Sequence, residues 1–131
     1  MNTAQWIKTL IGQKERTAIP IMTHPGIELI GKRIVDAVTD GETHFRAVEA
    51  LARHFPRTAT TIMDLTVEAE AFGANLHMSP DDIPSIEGRL ISDYAGIKAL
   101  QLPTLDEKRI PQYLKADELA AKQLDIPVFA G

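Results

Sequence analysis

The stretch over residues 58–74, TATTIMDLTVEAEAFGA, constrains the fold of this chain more than any other. Most of its opening residues are β-branched, which predicts a strand over 58–63. From Leu65 onwards the residues are good helix formers, and Gly73 suits the cap that ends a helix. Asp64 stands between the two patterns. The stretch therefore predicts a buried strand that delivers a carboxylate to the beginning of a helix.

The closing residues 125–131, DIPVFAG, predict a second buried strand, over 126–130. No printed residue follows that could pair with this strand or cover it. Helical patterns occupy most of the chain between the two strands, an order typical of α/β proteins. We therefore expect the opening portion of a larger α/β enzyme, with one part of an active site.

Apolar spacing and turn residues predict the remaining elements. They are a helix around residues 6–11, a helix over 27–38, a helix capped by Asp40 and ended by Pro56, a short helix over 92–100, and a helix over roughly 111–124 with Pro111 in its first turn. In the third of these, Phe45, Val48, Leu51 and Phe55 form the inward stripe. Residues 75–91 predict turns around short extended pieces. We find no internal repeat or linker, so residues 1–131 are expected to form a single domain.

Composition narrows the classes of function. The net charge of −4, from 14 basic and 18 acidic residues, does not indicate a surface that binds nucleic acid or an anionic membrane. The absence of cysteine excludes disulfides and thiolate ligands within the chain. The first residues contain neither a signal peptide nor a membrane span. A cytoplasmic location is the expectation.

Four segments together resemble one family of enzymes. They are MTHPGIELIGK (22–32), DAVTDGETHFRAVEAL (36–51), IMDLTVEAEAFGA (62–74) and IPVFAG (126–131). In this order they are similar to the N-terminal third of the uroporphyrinogen decarboxylase superfamily, and most similar to its branch of methylcobamide:coenzyme M methyltransferase-like proteins. The resemblance covers roughly residues 5–131.

The resemblance implies that the chain is the N-terminal portion of a (β/α)₈ barrel, incomplete and preceded by helices. The segment 58–63 would be the first barrel strand and 126–130 the second, with Gly131 at its end. Function in such barrels lies at the C-terminal ends of the strands. In true decarboxylases the aspartate corresponding to Asp64 receives the pyrrole N–H groups of the substrate. Asp64 is thus the candidate catalytic residue, although capping of the following helix is an equally good interpretation.

One departure from the decarboxylases favours the methyltransferase-like branch. Decarboxylases carry an arginine motif that holds the acetate and propionate groups of the porphyrinogen. Here THPG stands where that motif would begin, and the next arginine is Arg33. The other branch uses zinc to activate a thiol, which takes a methyl group from a corrinoid. Its His-x-Cys and later Cys ligands have no counterpart in this chain.

Two further residues are candidates for substrate binding. Glu68 follows Asp64 by four residues and would share its helical face, whereas Glu70 would point elsewhere. His24 lies in a turn before a helix, within reach of the barrel mouth in this family's layout. A solvated position for Glu68 and a structural or exposed role for His24 are the commoner explanations of such residues. His44 and His54 would lie about 15 Å apart along one helix, so they cannot share a metal ion.

These observations lead to two hypotheses. In the first, the chain is the N-terminal fragment of a corrinoid-dependent methyltransferase, with uroporphyrinogen decarboxylase as the runner-up. No cofactor is expected in the fragment itself, whereas the full-length enzyme would use zinc, a corrinoid methyl donor and a small-molecule substrate or corrinoid protein. In the second, the isolated chain is a non-catalytic module that forms a homo-oligomer through its unpaired strand edges.

Overall fold

A computed structural model describes residues 2–19, 21 and 24–130 of the chain. The elements occur in the following order: α1 (Thr3–Gly12), α2 (His24–Leu29), α3 (Ile34–Thr39), α4 (Gly41–His54), β1 (Ala59–Thr60), α5 (Val67–Ala71), β2 (Asn75–His77), β3 (Ser85–Glu87), α6 (Tyr94–Ala99), α7 (Ile110–Gln123) and β4 (Val128–Phe129). This mixture of helices and strands confirms the α/β character. No helix in the described ranges is long and apolar enough to cross a membrane.

The strands β1 and β4 are parallel neighbours, with Ala59 opposite Val128 and Thr60 opposite Phe129. The chain between them includes α5, a hairpin, α6 and α7, so the connection is of the crossover kind that parallel strands require. Both strands are shorter than predicted. β1 ends early because the Ile62 amide donates to Nε2 of His44 instead of to a strand. The described sheet has two strands, and no closed barrel is seen in it.

The helix predicted over 27–38 is wrong as a single element, because the chain breaks between α2 and α3. Gly31 adopts a φ of +65°, which glycine tolerates and which ends a helix. Its N–H donates to the carbonyl of Glu28 at 2.9 Å. The carboxylate of Asp36 then accepts the Arg33 N–H at 3.0 Å and caps α3. The apolar spacing continued across this break, and so it suggested one helix.

Helix α4 lies at the centre of the packing, against α2, α3 and α7. Two glycines permit its close contacts. A Cβ at Gly26 would lie 2.2 Å from the carbonyl oxygen of Ala47, and one at Gly41 would lie 2.3 Å from that of Gln112. As predicted, the side chain of Asp40 caps α4, accepting from the Thr43 N–H at 2.8 Å. Phe55 departs from the predicted inward stripe, because it follows the helix and is 52% exposed.

Two clusters of buried residues form the core. The larger joins α2, α3, α4, α5 and α7 to the segment after β1; its members are Ile27, Ala37, Val38, Ala47, Ile62, Val67 and Tyr113. The smaller, Val48, Ala52 and Ala59, lies under β1 and β4. The core therefore holds β1 against α4 and α7.

The remaining elements differ from the predictions at their bounds. Residues 75–91 contain short extended pieces, as predicted, and these pair as an antiparallel hairpin of β2 with β3. Helix α6 begins only at Tyr94, since Oδ1 of Asp93 accepts the Gly96 N–H at 2.8 Å and caps it. Helix α7 begins one residue before Pro111, which lies in its first turn as predicted. Gly131, expected at the end of the second strand, lies outside the described residues, as do Met22 and Thr23 of the quoted segments.

Candidate functional site

Asp64 follows β1 and precedes α5, at the position that the sequence predicts. Its side chain is 0% exposed. Oδ1 accepts two hydrogen bonds from Thr66, from the backbone N–H at 2.9 Å and from the hydroxyl at 2.6 Å. Thr66 flanks the start of α5, so these bonds fix the loop from which the helix begins. The N-cap of α5 is Thr66 rather than Asp64, so this local arrangement is an Asx turn that precedes the helix.

The other oxygen of Asp64 is held by α7. Arg109 donates from Nη1 to Oδ2 at 2.6 Å, and Tyr113, one turn later, donates its hydroxyl to the same atom at 2.9 Å. Arg109 also donates from Nε to Glu70 at 2.7 Å and from Nη2 to the Thr66 hydroxyl at 2.8 Å. Its side chain is only 8% exposed. A buried network therefore binds the segment after β1 to the helix that precedes β4.

His44 joins this network to the backbone of the segment that follows β1. Its Nε2 accepts the Ile62 N–H at 2.7 Å, so the neutral ring carries its proton on Nδ1. The ring meets Tyr113 edge-on, with centroids 5.2 Å apart. Nδ1 is buried and has no hydrogen-bond partner in the described residues. His44 thus connects the end of β1 to the aromatic ring beneath Asp64.

Burial and hydrogen bonding shift the pKa values of these groups. Burial alone would raise the pKa of Asp64, but the hydrogen bonds from Thr66, Arg109 and Tyr113 outweigh it and hold that pKa below its usual value. Burial, followed by the neighbouring Asp64 carboxylate, raises the pKa of Tyr113. Burial lowers the pKa of His44 to about 4. At neutral pH the network therefore consists of an ionised Asp64, a charged Arg109, a neutral tyrosine and a neutral histidine.

This geometry limits what Asp64 can do chemically. A carboxylate accepts about four hydrogen bonds, and the four donor groups already described occupy that capacity. A buried carboxylate whose hydrogen-bonding capacity is filled holds its donor groups in fixed positions. The arrangement can hold the loop after β1 in one position, and a substrate group could reach Asp64 only by displacing one of these donors.

The two predicted substrate-binding residues lie apart from this network. Glu68 is exposed on α5, and no hydrogen bond in the described residues joins it to Asp64. Glu70, two residues later, is the carboxylate that shares Arg109 with Asp64. The expectation that Glu70 points elsewhere was therefore wrong, since α5 begins only at Val67. His24 is half-buried at the start of α2, and its Nε2 has no described partner.

The described residues provide no metal centre. They contain no group of three or more His, Asp or Glu side chains that could hold an ion, and the sequence has no cysteine. The donor set that zinc prefers in a thiol-activating site is thus missing from this part of the chain.

Sequence comparison decides the family. A sequence model of the uroporphyrinogen decarboxylase (URO-D) family matches residues 16–131. The chain belongs to the uroporphyrinogen decarboxylase family. No curated protein matches it significantly.

Among solved structures, a methyltransferase from Methanosarcina mazei is similar in fold to this URO-D family chain, with a TM-score of 0.68 and 23% sequence identity. The match covers 82% of this chain and 33% of the methyltransferase, so the chain spans about a third of that protein's length. At this level of identity the similarity shows a shared fold.

Sequence reasoning missed Arg109 and Tyr113, although one signal was present. Arg109 adjoins the beginning of α7, where the helix dipole disfavours a cation. An arginine at such a position, with a tyrosine one turn later on the same face, indicates an acidic partner elsewhere in the fold. Nothing in the sequence showed that this partner is Asp64.

Proposed function

We propose that this chain forms the first two strands of a (β/α)₈ barrel in an enzyme that transfers a methyl group from a corrinoid to a thiol. Membership of the URO-D family and the fold of the Methanosarcina mazei methyltransferase support this proposal. The observation that carries it is the parallel pairing of β1 with β4, with Asp64 following the C-terminal end of β1. In barrels of this type the catalytic groups lie at that end of the strands.

The environment of Arg33 supports methyl transfer over porphyrinogen decarboxylation. Arg33 is the first arginine after the THPG segment, and it donates to Asp81 through two bonds, of 2.9 and 2.7 Å. A bidentate pair of this kind satisfies the guanidinium fork. Arg33 is therefore already paired, and the acetate or propionate group of a porphyrinogen would have to displace Asp81 to bind it.

In this proposal Asp64 acts as a positioning residue. Its direct contact with substrate is a prediction from the family resemblance. Together with Arg109 it would fix the loop that leads away from β1 at the barrel mouth. His24 and Glu68 are proposed, as before, to approach the substrate from α2 and α5. Zinc and the corrinoid are proposed for the full-length enzyme only, since the donor set in the described residues does not fit zinc.

Paired assays on the full-length protein test the proposal. Methylcobalamin, a thiol and zinc are supplied in one assay, and uroporphyrinogen is supplied in the other. We expect methyl transfer, seen as loss of the methylcobalamin absorbance, and no decarboxylation. Asp64→Asn should lower the transfer rate roughly ten-fold through misplacement of the loop, whereas Asp82→Asn, at an exposed site, should not. Turnover of uroporphyrinogen alone would reverse the ranking.

Self-association is the second candidate function, and it concerns the isolated 131-residue chain. In the described sheet β1 and β4 each have one neighbour, so each leaves an edge unpaired. Unpaired edges of this kind pair with other chains. Size-exclusion chromatography with light scattering tests this second candidate function. We expect a dimer or a larger assembly, and a monomer would contradict self-association.

A further inference from the structure

A cleft opens at the N-terminal end of β1, opposite the end that leads to Asp64. Its volume is about 490 Å³, within the range of pockets that bind small molecules. The lining comes from three places in the chain: the segment after α1, the C-terminal turn of α4, and the residues that lead into β1.

Two arginines on the lining lack partners. Arg16 and Arg57 have neither an ion pair nor a side-chain hydrogen bond in the described residues. Among the other arginines of the described residues, Arg33, Arg46, Arg53 and Arg109 pair with carboxylates, whereas the exposed Arg89 does not. The guanidinium group offers a planar fork of donors that matches a carboxylate or a phosphate. Two unpaired forks on one cleft are a notable feature in a chain whose net charge is −4.

The helix dipole does not explain both arginines. Helix α4 ends at His54, and Arg53 and His54 in its last turn already offset the negative end of the dipole. Nδ1 of His54 lies 2.9 Å from the carbonyl oxygen of Ala50, which leaves Nε2 for another partner. Arg16 comes from a separate segment, between α1 and α2.

The same cleft has an apolar wall and an unsatisfied hydroxyl. Phe55, 52% exposed, lines it together with Ala18 and Pro56. Thr58, which also lines it, is 5% exposed, and its Oγ1 has no hydrogen-bond partner in the described residues. That oxygen is itself enclosed, so it lies behind the surface of the cleft, where a ligand in the cleft does not contact it.

We infer that this cleft binds a small organic anion. The carboxylate or phosphate of the ligand lies between Arg16 and Arg57, and its apolar part lies against Phe55. The inference does not depend on the methyl-transfer proposal, because the cleft and Asp64 lie at opposite ends of β1.

Calorimetric titration of the full-length protein tests the inference with four probes: phenyl phosphate, benzoate, benzyl alcohol and inorganic phosphate. Phenyl phosphate or benzoate should bind at least roughly ten-fold more tightly than benzyl alcohol, since the alcohol lacks the charge that the arginines recognise. The tighter of the two anions identifies the head group. Inorganic phosphate should bind more weakly than phenyl phosphate, because it makes no contact with Phe55. Equal affinities for benzyl alcohol and the two aromatic anions would overturn the inference.

Matched variants locate the site. Arg57→Gln should weaken binding of the preferred anion roughly ten-fold, while Arg89→Gln, an equal change of charge at an exposed position outside the cleft, should leave it unchanged. Thr58→Val, which keeps the side-chain shape, should leave binding unchanged, because the hydroxyl that it removes is enclosed behind the cleft. If Arg57→Gln binds like the wild type, or if Arg89→Gln weakens binding as much, the assignment to this cleft is wrong.

Discussion

Arg109 donates to Oδ2 of Asp64 at 2.6 Å, although the two residues are 45 positions apart in the sequence. This bond joins the segment after β1 to the beginning of the helix that precedes β4. Because β1 and β4 are parallel neighbours, the pair fixes the two strands and their crossover helix as one unit. The carboxylate that family resemblance marks as catalytic is therefore also a centre of the fold.

Tyr113→Phe removes one of the donors to Asp64 and leaves the ring in place. A hydrogen bond to a charged group contributes about 1.5–3 kcal/mol, so we expect the free energy of unfolding to fall by that amount. The pKa of Asp64 should rise, because one of the bonds that lower it is lost. Urea unfolding and a ¹³C titration of the Asp64 carboxyl measure the two effects. Tyr94→Phe, at an exposed tyrosine, should change neither, and equal behaviour of both variants would contradict the assignment.

Glu70→Gln and Glu68→Gln form a matched pair on α5. Glu70 accepts from Arg109 Nε at 2.7 Å, so its substitution should lower the free energy of unfolding by about 1–2 kcal/mol. Glu68→Gln should stay within about 0.5 kcal/mol, as is usual at an exposed position. If Glu68 binds substrate, its variant raises KM in the full-length enzyme without a loss of stability. A larger loss of stability in Glu68→Gln than in Glu70→Gln would contradict the described network.

Acid should destabilise the fold through His44. Its pKa falls from 6.5 to about 4 on folding, because burial opposes the charged form. Between these pH values the unfolded chain binds a proton at His44 that the folded chain does not bind. The contribution is thus fully present above pH 6.5 and is lost as the pH falls towards 4.

Urea unfolding at pH 7 and pH 4.5 measures this contribution. We expect His44→Gln to lose about 2 kcal/mol less than the wild type on acidification. His77→Gln, at an exposed site, should follow the wild type. An acid sensitivity of His44→Gln equal to that of the wild type would show that His44 does not titrate in this range.

Gly26→Ala tests the close approach of α2 to α4. The new methyl carbon would lie 2.2 Å from the carbonyl oxygen of Ala47, and one helix must move away. We expect a loss of about 2–3 kcal/mol in the free energy of unfolding, measured in urea. Gly12→Ala provides the control, because a Cβ there meets nothing within 4 Å. Equal stability of the two variants would mean that the helices are packed less closely than described.

Local chemistry explains what the sequence could predict. The β-branched run predicted β1, Asp40 predicted the start of α4, and Pro111 predicted the first turn of α7. These signals depend on neighbours within a few residues. The break at Gly31 was missed because the apolar spacing of Ile30 and Ile34 continues across it. The helical hydrogen bonds nevertheless end there, where Gly31 has a positive φ.

The candidate site depends on long-range pairing, which spacing does not encode. Asp64 was identified through its position after a strand, yet its partner Tyr113 lies on α7 and its partner Arg109 lies directly before that helix. The choice of Glu68 over Glu70 assumed a helix that begins directly after Asp64. The later start at Val67 rotates Glu70 towards Arg109 instead. Only the packing of α5 against α7 shows which carboxylate takes part.

A double-mutant cycle on Asp64 and Arg109 tests the central claim most directly. Removal of one partner from a buried pair leaves an unpaired charge, so Asp64→Asn and Arg109→Gln should each lower the free energy of unfolding by about 3–5 kcal/mol. The double variant should lose about 2–3 kcal/mol less than the sum of the two single losses, and this difference is the coupling between the two residues. The same cycle on the exposed Arg33 and Asp81 should give less than about 1 kcal/mol. Additive losses at Asp64 and Arg109 would show that the two strands are not joined through this pair.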